Sequence, residues 1–241
     1  MSIIDDMLIL VEDEKKIYLQ DAFIKMGKFK KQTISSSLGR LSAKGLINKN
    51  TQDKKIYYKI NQSGTNFIDR QLEYLKYLDI KSYPENWNMI IFNIPEKQRK
   101  HRDELRRQLV GHGFGRLHDS LWFSKFDLTK QISEILGEMQ IQKNVLFVKT
   151  DKLNNIENKD IINRLYWDWD KIEKNYNQFC KISEKFLDSN NKERFTAKQI
   201  VYQLSKIIKS DPKIDIGYFP KNIKKNNAIM LYKKIRPYCY N

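Results

Sequence analysis

The chain has 241 residues and a formal net charge of +16, from 45 Lys and Arg against 29 Asp and Glu. A charge of this size favours polyanionic partners, because each cation that meets a phosphate releases condensed counterions. Nucleic acid and an anionic membrane surface are both partners of this kind. An A·T-rich genome also gives an excess of Lys and Asn, without any binding surface. Two cysteines exclude a disulfide framework, and no apolar run is long enough to cross a bilayer. These features predict a soluble, cytoplasmic protein with no membrane partner.

Three segments differ in their hydrophobic pattern. Residues 1–80 have helical spacing followed by one hairpin, residues 86–150 alternate strand-like runs with amphipathic helices, and residues 160–241 return to helical spacing. The joints at 79–86 and 150–159 are polar. The pattern predicts three domains of these bounds in an α+β protein.

The first segment begins with two predicted helices. Apolar residues from Ile3 to Val11 fall at helical spacing, and Ile17, Ala22 and Met26 indicate a second helix that Gly27 ends. A third helix follows, because Ile34, Leu38 and Leu41 recur at i, i+4 and i+7 before Gly45. Its apolar stripe is narrow, so most of its surface is predicted to face solvent.

The solvent face of the third helix has the composition of a DNA-reading surface. No acidic residue occurs between Ala22 and Gln52, and the face opposite the stripe carries small and polar side chains. A polar hairpin follows, with strands 46–49 and 55–60 around the predicted turn 50–53. Helix, turn, small-residue helix and hairpin are the outline of a winged helix-turn-helix, whose third helix enters the major groove. The alternative is a small helical domain with a merely solvated basic face. The residues predicted to contact DNA are Lys30, Lys31, Gln32, Thr33, Ser36, Ser37, Arg40, Lys44, Lys54 and Lys55.

The middle segment predicts a ferredoxin-like βαββαβ unit. A β-rich run from Trp87 to Ile94 stops at Pro95, and a charged helix follows to Val110. Strand-like residues 117–123, an amphipathic helix around 128–139 and a closing strand at 145–148 complete the order.

Four arginines of the charged helix form the second candidate site. One interpretation is that they bind phosphate groups of an effector or of DNA. The alternative is that they lie on the solvent-exposed face of the helix, where Asp103 and Glu104 neutralise them. The four are Arg99, Arg102, Arg106 and Arg107. The sequence has no glycine-rich phosphate loop, no Ser-His-Asp or Cys-His order and no zinc-ligand spacing. We therefore expect no catalytic residues, no cofactor and no metal site.

The C-terminal segment is predicted to be a helical domain. Trp169, Ile172, Tyr176 and Phe179 form an aromatic stripe at helical spacing, which is typical of core. A later apolar helix ends at Asp211-Pro212.

In three places the chain resembles the PaaX family of bacterial transcriptional regulators. Residues 34–47, with Leu38-Gly39-Arg40-Leu41 and Lys44-Gly45-Leu46-Ile47, resemble the recognition helix and its exit into the wing. Residues 87–122, with Ile94-Pro95-Glu96 and Gly113-Phe114-Gly115, resemble the central domain. Trp167-Asp168-Trp169, Asp211-Pro212 and Phe219-Pro220 resemble the C-terminal domain.

The resemblance implies a homodimeric repressor of an operator in double-stranded DNA, released by an acyl-coenzyme A effector as in the best-known members. It also implies that the central domain is similar to the small ferredoxin-fold nuclease of CRISPR adaptation. Asn93 stands near the position of that enzyme's metal-binding Asp, and an amide is a poorer Mg²⁺ ligand than a carboxylate. The leading hypothesis is therefore a sequence-specific regulator that is not an enzyme. A metal-dependent nuclease and a nonspecific architectural DNA-binding protein are the alternatives.

Overall fold

A computed structural model describes residues 2–78, 80, 82–154 and 156–240. Asp79, Lys81 and Asn155 of the predicted joints lie outside the described residues. The chain divides into two compact units, and each is built from separate stretches of sequence. The first consists of Met1–Tyr74, Gln178–Lys206 and Asn226–Asn241, and the second of Leu75–Asn177 and Ile207–Lys225.

The N-terminal stretch of the first unit is a winged helix-turn-helix. Its three strands form one antiparallel sheet in the order β1-β3-β2. Its elements are α1 (Ile3–Glu14), β1 (Lys16–Tyr18), α2 (Leu19–Lys25), α3 (Lys31–Ala43), β2 (Ile47–Gln52), β3 (Lys55–Ile60) and α4 (Gln62–Leu72).

Local sequence accounts for the start of this fold. Ser2 caps α1 through a capping box with Asp5, which satisfies helix N–H groups that would otherwise lack partners. Met7 and Leu10 of α1 are completely buried, as are Ile34 and Leu38 of α3. The narrow apolar stripe predicted for the third helix is therefore its core-facing side.

Two local predictions in this region were wrong. Ile17, assigned to the second helix, lies in β1, where it pairs with Tyr58 of β3. The residue before β1, Lys15, has a φ of 59°, which stops α1 and turns the chain into the strand. The hairpin turn also differs, because residues 50–52 belong to β2 and only Asp53 and Lys54 turn, with φ of 49° and 63°.

The central stretch of the second unit is ferredoxin-like, as the sequence predicts. The sheet is antiparallel in the order β5-β6-β4-β7, which is the arrangement of a split βαβ repeat. The single strand predicted for 117–123 is a hairpin that turns at Asp119-Ser120. The elements are β4 (Trp87–Phe92), α5 (Arg99–Gly111), β5 (Gly115–His118), β6 (Leu121–Ser124), α6 (Thr129–Met139) and β7 (Val145–Thr150).

The C-terminal helices do not group as a third unit, although the sequence predicts a domain over 160–241. They are α7 (Asn158–Arg164), α8 (Trp169–Asp188), α9 (Arg194–Ser210) and α10 (Lys225–Ile235), and they contribute residues to both units. In the first unit, Tyr202 of α9 joins the N-terminal core, and Arg194 pairs with Asp13 of α1 at 2.8 Å. In the second, Lys213 donates to the carbonyl of His112 at 2.9 Å. These long-range contacts divide the C-terminal segment between two cores.

The helical stripe in this segment is core, as expected. Tyr176 and Phe179 are completely buried, and α9 stops immediately before Asp211-Pro212. Within the described residues, every helix is too short or too polar to cross a lipid bilayer.

Candidate DNA-binding surface

The apolar stripe of α3 fixes which of its side chains reach solvent. With Ile34, Leu38 and Leu41 held in the core, the opposite face is turned outward. Nine of the ten predicted contact residues are exposed. On α3 and at its ends these are Lys30, Lys31, Gln32, Thr33, Ser36, Arg40 and Lys44, and on the hairpin they are Lys54 and Lys55.

Ser37 is the exception among the predicted contacts. It is only 4 % exposed, and its hydroxyl donates to the Thr33 carbonyl at 2.8 Å. A hydroxyl that bonds the carbonyl one turn earlier in its own helix is occupied and turned away from a groove. Ser37 therefore does not belong to the exposed surface. Its place three residues after Ile34 and four before Leu41 puts it beside the apolar stripe, so the helical period itself indicated burial.

Lys54 and Lys55 lie at the tip of the hairpin, as the sequence predicts. Lys54 is the second turn residue, and Lys55 begins β3 opposite Gln52. The turn projects both cations from the end of a two-stranded ribbon, which is the position from which a wing contacts the DNA backbone.

The outward face of the three-stranded sheet adds residues that the sequence analysis missed. Lys16 of β1 and Lys59 of β3 are register partners, and the Lys16 ammonium lies 4.2 Å from the ring centroid of Tyr57. The alternation of Lys55, Tyr57 and Lys59 in β3 was a usable signal, because side chains two apart in a strand share a face. Lys16 was missed because its strand was interpreted as helix.

Electrostatics distinguishes this surface from the rest of the first unit. Four of the five acids of α1 pair with cations of the same unit; Glu12, for example, pairs with Lys198 at 2.8 Å, and Asp5 with Lys206 at 2.7 Å. In the described part of the chain, the cations of α3 and the wing make no salt bridge. Within the described residues, the positive charge of α3 and the wing is thus not neutralised by carboxylates of the chain.

The four arginines of the second candidate site do not act as one group. Arg99 and Arg102 pair with Glu96 near the start of α5. Arg106 and Arg107 instead line a cleft in the second unit. Asp103 and Glu104 do neutralise part of this helix face, since they pair with Arg106 and Arg107.

The backbone of Asn93, the residue compared with the metal-binding Asp of the nuclease, is hydrogen-bonded to Asn144. Asn93 donates its backbone N–H to the Asn144 carbonyl at 2.9 Å and accepts from the Asn144 side chain at 3.0 Å. Among the described residues, no group of three or more His, Cys, Asp or Glu is placed to hold a metal ion.

Known proteins resemble the chain in sequence at its centre and in fold over most of its length. The family model of the PaaX protein central Cas2-like domain matches residues 81–162. The solved structure titled "Uncharacterized protein Rv0674 from Mycobacterium tuberculosis" is similar with a TM-score of 0.52. That similarity covers 88% of this chain and 82% of the other at 13% sequence identity, so it concerns the fold alone. Comparison with curated proteins gives no match.

The matched central domain lies between a winged helix-turn-helix and a helical C-terminal segment, in the order that the sequence resemblance implies. Residues 81–162 therefore match the PaaX central Cas2-like domain, in agreement with the resemblance found in the sequence.

Proposed function

We propose that the protein is a sequence-specific regulator that binds double-stranded DNA through α3 and the wing. The observation that carries the proposal is the exposed, acid-free face of α3, on which Arg40 stands among small polar side chains. Small residues allow close approach to base edges, and Arg is the residue that most often reads guanine. Lys54 and Lys55 supply phosphate contacts that fix the register but carry no sequence information.

The mode of action that we propose is repression by a homodimer. Two copies related by a two-fold axis would place two α3 helices in major grooves about 34–36 Å apart, on a palindromic site. The family resemblance supports the homodimer and release by an acyl-coenzyme A effector. An effector of this kind acts by binding better to the form whose helix spacing does not match the operator.

The proposal is tested by selecting genomic fragments bound by the purified full chain at physiological salt. We expect enrichment of one palindromic motif, bound about 10³-fold or more tighter than random duplex. Equal affinity for all fragments would contradict the proposal and would indicate an architectural protein.

Arg40→Ala tests the assigned reading helix on the selected motif. We expect a loss of about 1–3 kcal/mol in binding free energy together with relaxed preference at one base position, measured by titration of labelled duplexes. Arg99→Ala removes an equal charge from α5 and is expected to leave both unchanged. If both variants bind the motif like the parent chain, α3 is not the reading element.

A further inference from the structure

A cleft of about 650 Å³ lies within the second unit and has no assigned role. It is lined by the C-terminal half of α5, by β5 and β6, by residues 166–168 and by the first turns of α8. This volume is within the range of about 300–1,000 Å³ that small-molecule sites occupy.

The floor of the cleft is aromatic and fixed in place. Phe114 and Trp122 are each 3 % exposed. The Trp167 indole donates to the Gly113 carbonyl at 3.3 Å, and its ring lies where a Cβ on Gly115 would be only 2.5 Å away. Because a side chain at position 115 would displace this ring, the glycine is what allows the floor to form.

Apolar surface is also exposed at this cleft. The Tyr166 side chain remains 58 % exposed although its backbone pairs with Arg116 through hydrogen bonds of 2.8 and 3.1 Å. The Arg116 guanidinium lies 5.0 Å from the Tyr166 ring centroid, within the range of a cation–π contact. A rigid, exposed ring beside a buried aromatic floor suits a planar apolar group.

The residues that line the cleft include four cations, Arg106, Arg107, Arg116 and Lys171, and one acid, Asp168. Arg106 and Arg116 share one carboxylate, Asp119, at 3.7 Å and 3.4 Å. Arg106 also contacts Asp103 at 3.5 Å. All three distances exceed the 2.7–2.9 Å or so of a strong charged hydrogen bond, so both guanidinium groups keep donors for a ligand anion. Arg106 also donates to the Asp119 carbonyl at 3.2 Å, which helps to position its guanidinium group.

We propose that this cleft binds an anionic small molecule with a planar apolar body. Its carboxylate or phosphate would meet Arg106 and Arg116, and its body would lie against Tyr166 and Trp167. The inference is independent of DNA binding by α3, since it concerns residues of the second unit alone.

The test uses three probes with the same ring system on the full chain: 2-naphthoate, 2-naphthyl phosphate and the neutral 2-naphthalenemethanol. Binding is measured by calorimetry and by quenching of tryptophan fluorescence, because Trp122 and Trp167 line the cleft. We expect at least one anion to bind about tenfold or more tightly than the neutral alcohol. The preferred anion distinguishes a carboxylate ligand from a phosphate ligand. Equal affinity for all three probes, or no binding of either anion, would overturn the proposal.

Two variants locate the anion. Arg106→Gln and Arg116→Gln are each expected to weaken the anion about tenfold without changing affinity for the alcohol. Arg99→Gln, on the same helix but outside the cleft, is the matched control and should bind as the parent chain does. Circular dichroism checks that each variant is folded. Tyr166→Thr supplies a second readout, because loss of the ring should weaken binding of the anions and of the alcohol alike. Unchanged anion affinity in both folded cleft variants would refute the assignment.

Discussion

At the scale of single residues, His112 shows how burial and nearby positive charge set a protonation state. The ring is 3 % exposed, and its Nδ1–H donates to the Gln108 carbonyl at 2.7 Å. Burial, together with nearby Lys209, lowers the pKa of His112 to about 4 from its ordinary value of 6.5. The folded chain therefore holds a neutral imidazole at every pH above that range.

This lowered pKa predicts a loss of stability in mild acid. Between pH 6.5 and 4 the unfolded chain binds a proton at His112 that the folded chain does not, so the free energy of unfolding decreases as the pH decreases. From pH 6.5 to 4.5 the expected contribution is about 2 kcal/mol, and His112→Gln should remove it. Urea denaturation across this pH range measures the difference. His118→Gln, at an exposed histidine, should leave the pH dependence unchanged. The same slope in both variants would show that His112 is not the group responsible.

Ser37 and Arg40 show the resolution of a helical-wheel argument. The two residues are three positions apart on α3, yet one is buried and the other exposed. The wheel correctly identified Arg40 as solvent-facing. It also places Ser37 beside the apolar stripe, three residues after Ile34 and four before Leu41, so the inclusion of Ser37 among the contacts went against the periodicity.

At the scale of elements, the wing is a hairpin whose turn sequence does not suit its backbone. Asp53 and Lys54 both have positive φ, the conformation of a two-residue type I′ turn that Asn-Gly prefers. A non-glycine residue in the left-handed region costs about 1–2 kcal/mol. Lys54 therefore lowers the stability of the folded chain at this position, which is consistent with a role in the proposed phosphate contact.

Lys54→Gly separates these two roles. We expect the free energy of unfolding to rise by about 0.5–1 kcal/mol, since relief of the strain exceeds the extra entropy of the unfolded glycine. Under the proposed function, DNA affinity should fall and the slope of log affinity against log salt should decrease by about 1. Lys55→Ala removes a neighbouring charge without altering the turn, so it should lower the DNA affinity and the salt slope and leave the free energy of unfolding nearly unchanged. A destabilised Lys54→Gly protein would contradict the assigned turn.

At the scale of the whole molecule, close backbone contacts attach the C-terminal segment to the central domain of the second unit. Gly113 has a φ of 78°, and a Cβ there would lie 2.1 Å from the Asp211 carbonyl oxygen. Lys213 donates to the His112 and Lys209 carbonyls, and Asp211 pairs with Lys225 at 2.5 Å. Residues about one hundred positions apart in sequence thus form one buried cluster.

Gly113→Ala tests this attachment. We expect the second unit to lose about 2 kcal/mol or more, because the new methyl group meets backbone and the residue must keep a positive φ. All four tryptophans lie in this unit, so their fluorescence during chemical denaturation reports its stability. Gly111→Ala is the control: its Cβ meets nothing within 4 Å, and the helix should gain about 0.5–1 kcal/mol. Equal stability of the two variants would show that the contact at Gly113 is not close.

The sequence by itself determined the elements and the two local folds. Periodic patterns within short windows predicted the correct kind of element in three places. These are the apolar stripe of α3, the alternating residues of β3 and the strand–helix order around α5. The exposure of Arg40, Lys54 and Lys55 followed from the same periodicity. It failed at Ile17, where three strand residues are too few to show a period of two and pairing with β3 decided the structure.

Only the tertiary structure decided which residues meet across long separations. Arg194 and Asp13 are 181 positions apart, and Gly113 and Asp211 come together from different predicted domains. The same is true of the cleft, where Arg106, Arg116 and Trp167 converge from a helix, a strand and a later loop. Such contacts are specified by complementary shape and charge between packed elements, which leave no periodic trace in the sequence. For that reason the domain bounds and the cleft could not be derived from the chain alone, whereas the exposed face of α3 could.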